Sequence, residues 1–223
     1  MNDLQALKNG LAPKKQDKTE LAEAGLLGGS FLGQMRIVSG SSDLAKKQKM
    51  PVGNWAYAKS STVQDLGEKV LAFVVAFIPK ATDSSGGTFV VDFDNNSETY
   101  QNIKARSDAE RTNQNLHYGV DFLVWLPARK EFVSLFCGSP SLRVAAETLL
   151  DFVQEPVAFG VELIEKPDFS YHVPVINGTD SEMPLPSLEE CEKEINTFMS
   201  RKAQGPEIVE EETASAETGG RVE

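Results

Sequence analysis

Lysine and aromatic side chains alternate closely in residues 46–59, KKQKMPVGNWAYAK, which hold four lysines, one tryptophan and one tyrosine. Alternation along a strand would place Trp55 and Tyr57 on the same side. Proteins that bind single-stranded nucleic acid combine a basic groove, which follows the phosphates, with aromatic rings on which bases stack. The pattern therefore predicts a single-stranded nucleic-acid site, with DNA as the expected ligand.

The predicted site assigns the phosphate contacts to lysines and the base stacking to Trp55 and Tyr57. An arginine on the neighbouring predicted strand joins it. The predicted nucleic-acid-binding residues are Arg36, Lys46, Lys47, Lys49, Trp55, Tyr57 and Lys59. A second interpretation stays open, in which both aromatic side chains are core residues and the lysines form a solvated loop. The two interpretations differ in whether Trp55 faces solvent.

Residues 203–223 carry six acidic side chains and one basic side chain and are poor in large apolar residues. This composition predicts a disordered segment. An acidic tail behind a basic barrel is a layout seen in single-stranded DNA-binding proteins, where the tail competes with DNA for the groove or recruits replication or recombination proteins. A purely solubilising tail is the alternative.

Residues suited to catalysis or metal binding are few and scattered. Cys137 and Cys191 are far apart, and with His117 and His172 they lack the spacing of a structural zinc site. The segment 92–96, DFDNN, starts like a calcium loop but lacks its glycine and its final glutamate. The sequence predicts no enzymatic activity, no cofactor and no metal.

Composition and charge are those of a soluble globular protein, with 223 residues, 40% of them hydrophobic and 25% charged. The net charge of −11 divides into +4 for residues 1–59, −9 for 60–186 and −6 for 187–223. A binding groove for a polyanion would therefore be local. The longest apolar run has nine residues, against about 20 for a membrane helix. With no secretory signal, we expect a cytoplasmic protein without a membrane partner.

The hydrophobic pattern predicts more strands than helices. Single strands are expected at 31–38, 54–59, 69–79 (ending at a proline) and 88–94, and hairpins at 120–127 with 131–138 and at 157–166 with 170–176. Ser139 and Pro140 begin a predicted helix over 141–153. Ser187 and Glu190 form a capping box that begins the last helix.

These elements predict an α+β fold that is mainly β. We expect an OB-like antiparallel barrel or curled sheet, with a helix between its third and fourth core strands and a second helix at the C-terminus. The expected organisation is a flexible N-terminal arm (1–28), one globular β-rich domain (29–202) and the acidic tail (203–223).

The segments RIVSGSSDLAKKQKMPVGNWAYAK, FLVWLP and SYHVPVI resemble small uncharacterised proteins of tailed bacteriophages and related mobile elements. The resemblance extends from residue 31 to about residue 200. It implies a phage-encoded protein that acts in the cytoplasm of an infected cell. A role in DNA metabolism and a role in particle assembly or host interaction, through protein–protein contacts, both agree with it.

Overall fold

The computed structural model describes residues 3–11, 32–40, 42–59, 62–83, 85, 88–91, 97–110, 113 and 115–200. Its strands are β1 Gly33–Ile37, β2 Trp55–Lys59, β3 Thr62–Gly67, β4 Val70–Asp83, β5 Thr88–Val91, β6 Leu116–Leu126, β7 Glu131–Cys137, β8 Pro156–Glu165 and β9 Ser170–Gly178. Its helices are α1 Asp3–Gly10, α2 Asp43–Lys46, α3 Glu98–Ala109, α4 Pro140–Leu150 and α5 Leu188–Ser200. The predicted acidic tail, residues 12–31 of the N-terminal region and the DFDNN segment lie outside the described residues.

One mixed sheet contains all of these strands. Eight follow the order β3-β2-β1-β7-β6-β4-β8-β9, and β5 pairs with the end of β4. The sheet curls through 255° into a half-barrel. This confirms the predicted α+β, OB-like curled sheet, with α4 between the third and fourth strands of the series β4, β6, β7, β8 and β9. The pairing of β1 with β7 is parallel rather than antiparallel.

β4 continues beyond Pro79, where the sequence predicted that it would end. One edge of β4 pairs with β6 over residues 73–83. The other edge pairs with β8 over residues 70–73 and with β5 over residues 80–83. Pro79 lies between those two partners, at a point where none of the described strands lies beside that edge. A proline has no N–H for a sheet hydrogen bond, and this gap is where the strand tolerates it.

The concave side of the sheet holds the larger core. Alternate residues of β6, β7 and β8 point into it, among them Phe122, Leu135 and Phe159. Helix α4 contributes Ala146 and Leu149 to the same core. As predicted, Ser139 caps this helix and its hydroxyl accepts a hydrogen bond from the Leu142 amide at 3.4 Å.

Two helices cover the middle of the convex side. Helix α1 buries Leu7 and α5 buries Phe198 against β4 and β6, in a cluster that includes Phe73 and Trp125. Helix α1 lies within the expected N-terminal arm (1–28), and its neighbouring side chains Leu7 and Leu11 cover an otherwise exposed apolar sheet surface. The predicted capping box of α5 is present, since the Ser187 amide donates to the Glu190 carboxylate at 2.7 Å.

Candidate nucleic-acid interface

Trp55 lies in the concave core and is 0% exposed. The alternation of β2 places it on the same side as Tyr57, as predicted, but that side is the interior. The indole packs edge-on against Phe159, with ring centroids 5.3 Å apart and planes at 70°. Its Nε1 donates a hydrogen bond to the Gly160 carbonyl at 3.3 Å. Trp55 is thus fully buried, and its polar edge is hydrogen-bonded within the protein.

Tyr57 is 2% exposed and closes one end of the same core. Its hydroxyl donates to Glu131 Oε1 at 2.8 Å. The Arg129 guanidinium lies over the ring, with Cζ 3.7 Å from the centroid. Burial and the neighbouring Glu131 carboxylate raise the pKa of Tyr57 above its ordinary value.

These positions correct the predicted stacking role of Trp55 and Tyr57. A base stacks on an open ring face, and neither ring has one. The physical reason is the curvature of the sheet, which turns one face of β2 into a closed interior. The second interpretation of the sequence, in which both aromatic side chains are core residues, describes them correctly.

Lys59 contacts the same carboxylate as Tyr57, with its own side chain 37% exposed. Its Nζ donates to Glu131 Oε1 at 2.9 Å, and Arg129 Nη2 donates to Oε2 at 3.2 Å. Arg129 also donates to Gln64. Burial alone would raise the pKa of Glu131, but the hydrogen bonds from Lys59, Tyr57 and Arg129 outweigh it and hold that pKa below its ordinary value. The predicted phosphate contact of Lys59 therefore competes with an existing ion pair.

Arg36 and the lysines near α2 lie on the convex side, away from Trp55 and Tyr57. Met35 points into the concave core, so its neighbour Arg36 points outward, where it is exposed. Helix α2 packs on the same side, because Leu44 is buried with Ala56, the residue paired with Arg36. Three exposed lysines surround this helix: Lys46, Lys47 and Lys49. The Lys47 ammonium pairs with Asp43 at 3.0 Å, with both side chains largely exposed.

Phe136 and Lys80 extend this surface, and the sequence analysis did not identify them. Gln34 of β1 is in register with Ser134 of β7, and both point outward. Two residues further along these parallel strands stand Arg36 and Phe136, on the same side. Lys80 Nζ lies 4.1 Å from the centroid of the Phe136 ring. The alternation of residues in EFVSLFC of β7 was the sequence signal that could have identified Phe136. Val133, Leu135 and Cys137 face the core, so Phe136 faces outward.

We call this surface the outer basic face. Its residues are Arg36, Lys46, Lys47, Lys49, Lys80 and Phe136. A carboxylate, Asp121, lies beneath it at 2% exposure. Lys80 donates to Asp121 at 2.9 Å and Ser134 donates at 2.5 Å, so the negative charge is compensated within the sheet. Of the exposed cations beside it, Arg36, Lys46 and Lys49 form no ion pair with any residue that the structure describes.

The two cysteines lack the features of reactive thiols. Cys137 and Cys191 are both buried. Burial raises the pKa of each thiol to about 12, so neither is a thiolate near neutral pH. Within the described ranges, no three histidine, cysteine, aspartate or glutamate side chains lie together in a way that could hold a metal ion.

Comparison with known proteins gives no relatives: no family model, no curated protein and no solved structure matches the chain. Among the described residues, no helix combines the length and the apolar character needed to cross a membrane.

Proposed function

We propose that this protein binds single-stranded nucleic acid, with DNA as the expected ligand, on the outer basic face and without catalysing a reaction. The observation that carries the proposal is the common orientation of Arg36, Phe136 and the lysines around α2 on the convex side of an OB-like sheet. OB folds bind oligonucleotides across the face of their second and third strands. In the series β4, β6, β7, those strands are β6 and β7, and β7 carries Phe136.

The division of roles follows from exposure and charge. Arg36, Lys46 and Lys49 are exposed and contact phosphates. Phe136 is partly exposed and offers an apolar surface to a base, while Lys80 over its ring fixes the ring position. Because Lys80 already neutralises Asp121, its contribution is to position Phe136 rather than to attract phosphate.

The test is fluorescence anisotropy of a labelled oligothymidylate, titrated at low and at physiological salt. A labelled ligand is needed because Trp55 and Trp125 are 0% and 7% exposed and would report poorly on a surface ligand. We expect binding that weakens as salt rises, with a log–log slope of about 0.7 for each phosphate neutralised on a single strand. An absence of binding at low salt would show the proposal to be wrong.

A pair of matched variants locates the site. The double variant Arg36→Glu and Lys46→Glu reverses two charges on the outer basic face, and Lys166→Glu with Lys193→Glu reverses two exposed charges elsewhere. We expect the first to weaken binding at least tenfold and to lower the salt slope by about 1.4. The control should change affinity only a few-fold. Equal losses in both variants would mean that net charge, and not this face, determines binding.

A further inference from the structure

The outward side of the β8–β9 hairpin exposes large apolar side chains. Leu71 of the adjoining β4 is 43% exposed, Tyr171 is 39% exposed and Phe169 is 62% exposed. The two aromatic rings stack on each other, with centroids 5.8 Å apart and planes at 27°. Exposed apolar side chains grouped on one face of a sheet mark interaction sites in soluble proteins.

Strand alternation arranges these residues in one surface. Phe159 and Val161 pack on the concave core, so Gly160, Glu162 and Ile164 face outward. Their register partners on β9 are Val175, Val173 and Tyr171. We call this surface the hairpin face; it consists of Leu71, Gly160, Glu162, Ile164, Phe169, Tyr171, Val173 and Val175.

Helix α4 and the residues after it cover the opposite, concave side of the same hairpin. A side chain at Gly178 would collide with the Phe152 ring, 2.8 Å from its Cβ position, so the two segments are in close contact there. Phe152 and Ile176 both pack against the concave core. The residues that the structure describes therefore cover the concave side of the hairpin, while Leu71, Phe169 and Tyr171 on its other side stay exposed.

The open edge of β9 is less suited to a partner than its face. Pro174 lies in the middle of this last strand of the sheet order. A proline cannot donate a hydrogen bond to an added strand, and prolines on edge strands prevent edge-to-edge pairing. An outward face with several apolar side chains and a glycine is suited instead to face-to-face packing of two sheets, which lie about 10 Å apart.

Two opposite charges flank the centre of the hairpin face. Val70 pairs with Phe159, so the register extended by one residue places Lys69 opposite Gly160. Glu162 is the next outward residue of β8 after Gly160. Both side chains are exposed. Neither forms an ion pair within the described part of the chain, although they lie on neighbouring strands.

We propose that the hairpin face binds the hairpin face of a second copy of this chain, around a two-fold axis lying in the interface. In such an isologous contact each residue pair occurs twice. Lys69 of each copy then meets Glu162 of the other, and the half-buried valines together with the exposed leucine and aromatic side chains become buried between two sheets. Each hairpin face carries one positive and one negative group, so two copies of the same face complement each other in charge.

The experiment is sedimentation velocity over a range of protein concentrations, without nucleic acid, so that its result is independent of the proposed binding function. The wild-type protein should shift from monomer to twice the monomer mass. Lys69→Glu and Glu162→Lys, studied separately, should each raise the dimer dissociation constant about tenfold because both charge pairs become repulsive. Lys193→Glu and Glu147→Lys change exposed charges on helices and should leave the dimer unchanged.

Mixing the two single variants provides the decisive measurement. A Lys69→Glu copy carries two acidic groups at the interface and a Glu162→Lys copy carries two basic groups, so heterodimers in the mixture regain both charge pairs and should form more tightly than the homodimers of either variant. A wild-type protein that stays monomeric at all concentrations would overturn the proposal. The proposal would also be overturned if neither substitution changed the dimer dissociation constant, or if the mixture associated no more tightly than either variant alone.

Discussion

The Arg129 guanidinium lies over the Tyr57 ring, with its Cζ 3.7 Å from the ring centroid, in the position that a stacked base would occupy. The two side chains are held together by Glu131, which accepts from the Tyr57 hydroxyl at 2.8 Å and from Arg129 at 3.2 Å. The sequence suggested the Tyr57 ring as a surface on which a base could stack, but Arg129 of the same chain covers that ring. Stability and binding should therefore separate experimentally at these residues.

Trp55→Ala should destabilise the protein by about 3–5 kcal/mol, because it removes a large, fully buried side chain and leaves a cavity. Trp55→Phe should cost less, since it keeps an aromatic ring against Phe159 and loses the hydrogen bond to Gly160. Urea denaturation measures both. Folded Trp55→Phe protein should bind an oligonucleotide as tightly as wild type, and a selective loss of binding would contradict the buried position.

Lys80→Met should destabilise the fold by about 3–5 kcal/mol, because it leaves the Asp121 carboxylate, with a side chain 3% exposed, without its cation. Adding Asp121→Asn to this variant should restore much of the loss, since the buried negative charge is then gone. A double-mutant cycle in urea measures the coupling between the two residues. If the stability losses of the two single variants simply add in the double variant, the Lys80–Asp121 ion pair does not couple the two residues as the geometry indicates.

Glu131 should make the protein sensitive to acid. Its pKa in the folded state lies below the ordinary value of 4.5, so its ionised form stabilises the fold above that pH. This contribution is lost as the pH falls through the lowered pKa. The drop in urea midpoint between neutral pH and about pH 3.5 should be smaller for Glu131→Gln than for wild type.

At neutral pH, Glu131→Gln should itself cost about 1–2 kcal/mol, because Lys59 and Arg129 lose a charged acceptor. Asp43→Asn is the matched control, since its ion pair with Lys47 is largely exposed and should contribute less than about 0.5 kcal/mol. Equal acid sensitivity in wild type and Glu131→Gln would assign the effect to other carboxylates.

The two thiols should be unreactive in the native protein. Cys137 and Cys191 are buried, and the pKa of each is raised to about 12. A disulfide reagent at mildly alkaline pH should label neither cysteine until denaturant is added, and then both. Rapid labelling of the native protein would show that one of the helices or strands around them opens easily.

The sequence by itself determined most of the local structure. The alternation of apolar residues predicted the hairpins β6–β7 and β8–β9, because a two-residue period is a property of the strand alone. Ser139 and the Ser187–Glu190 pair predicted two helix starts, because capping involves neighbouring residues. Together these elements were sufficient for the α+β, OB-like interpretation.

Only the tertiary structure decided which side of each strand faces solvent. Alternation predicted that Trp55 and Tyr57 share a side of β2. The same alternation occurs whether that side faces the interior or the solvent, and only the curl of the whole sheet decides which it is. Likewise, a proline such as Pro79 fits within a strand only where one edge of the strand is unpaired. On one edge of β4, the described pairings with β8 and with β5 leave such an unpaired point between them. Long-range packing, which no local pattern encodes, therefore assigned the core and left Arg36, Phe136 and the lysines around α2 on the surface.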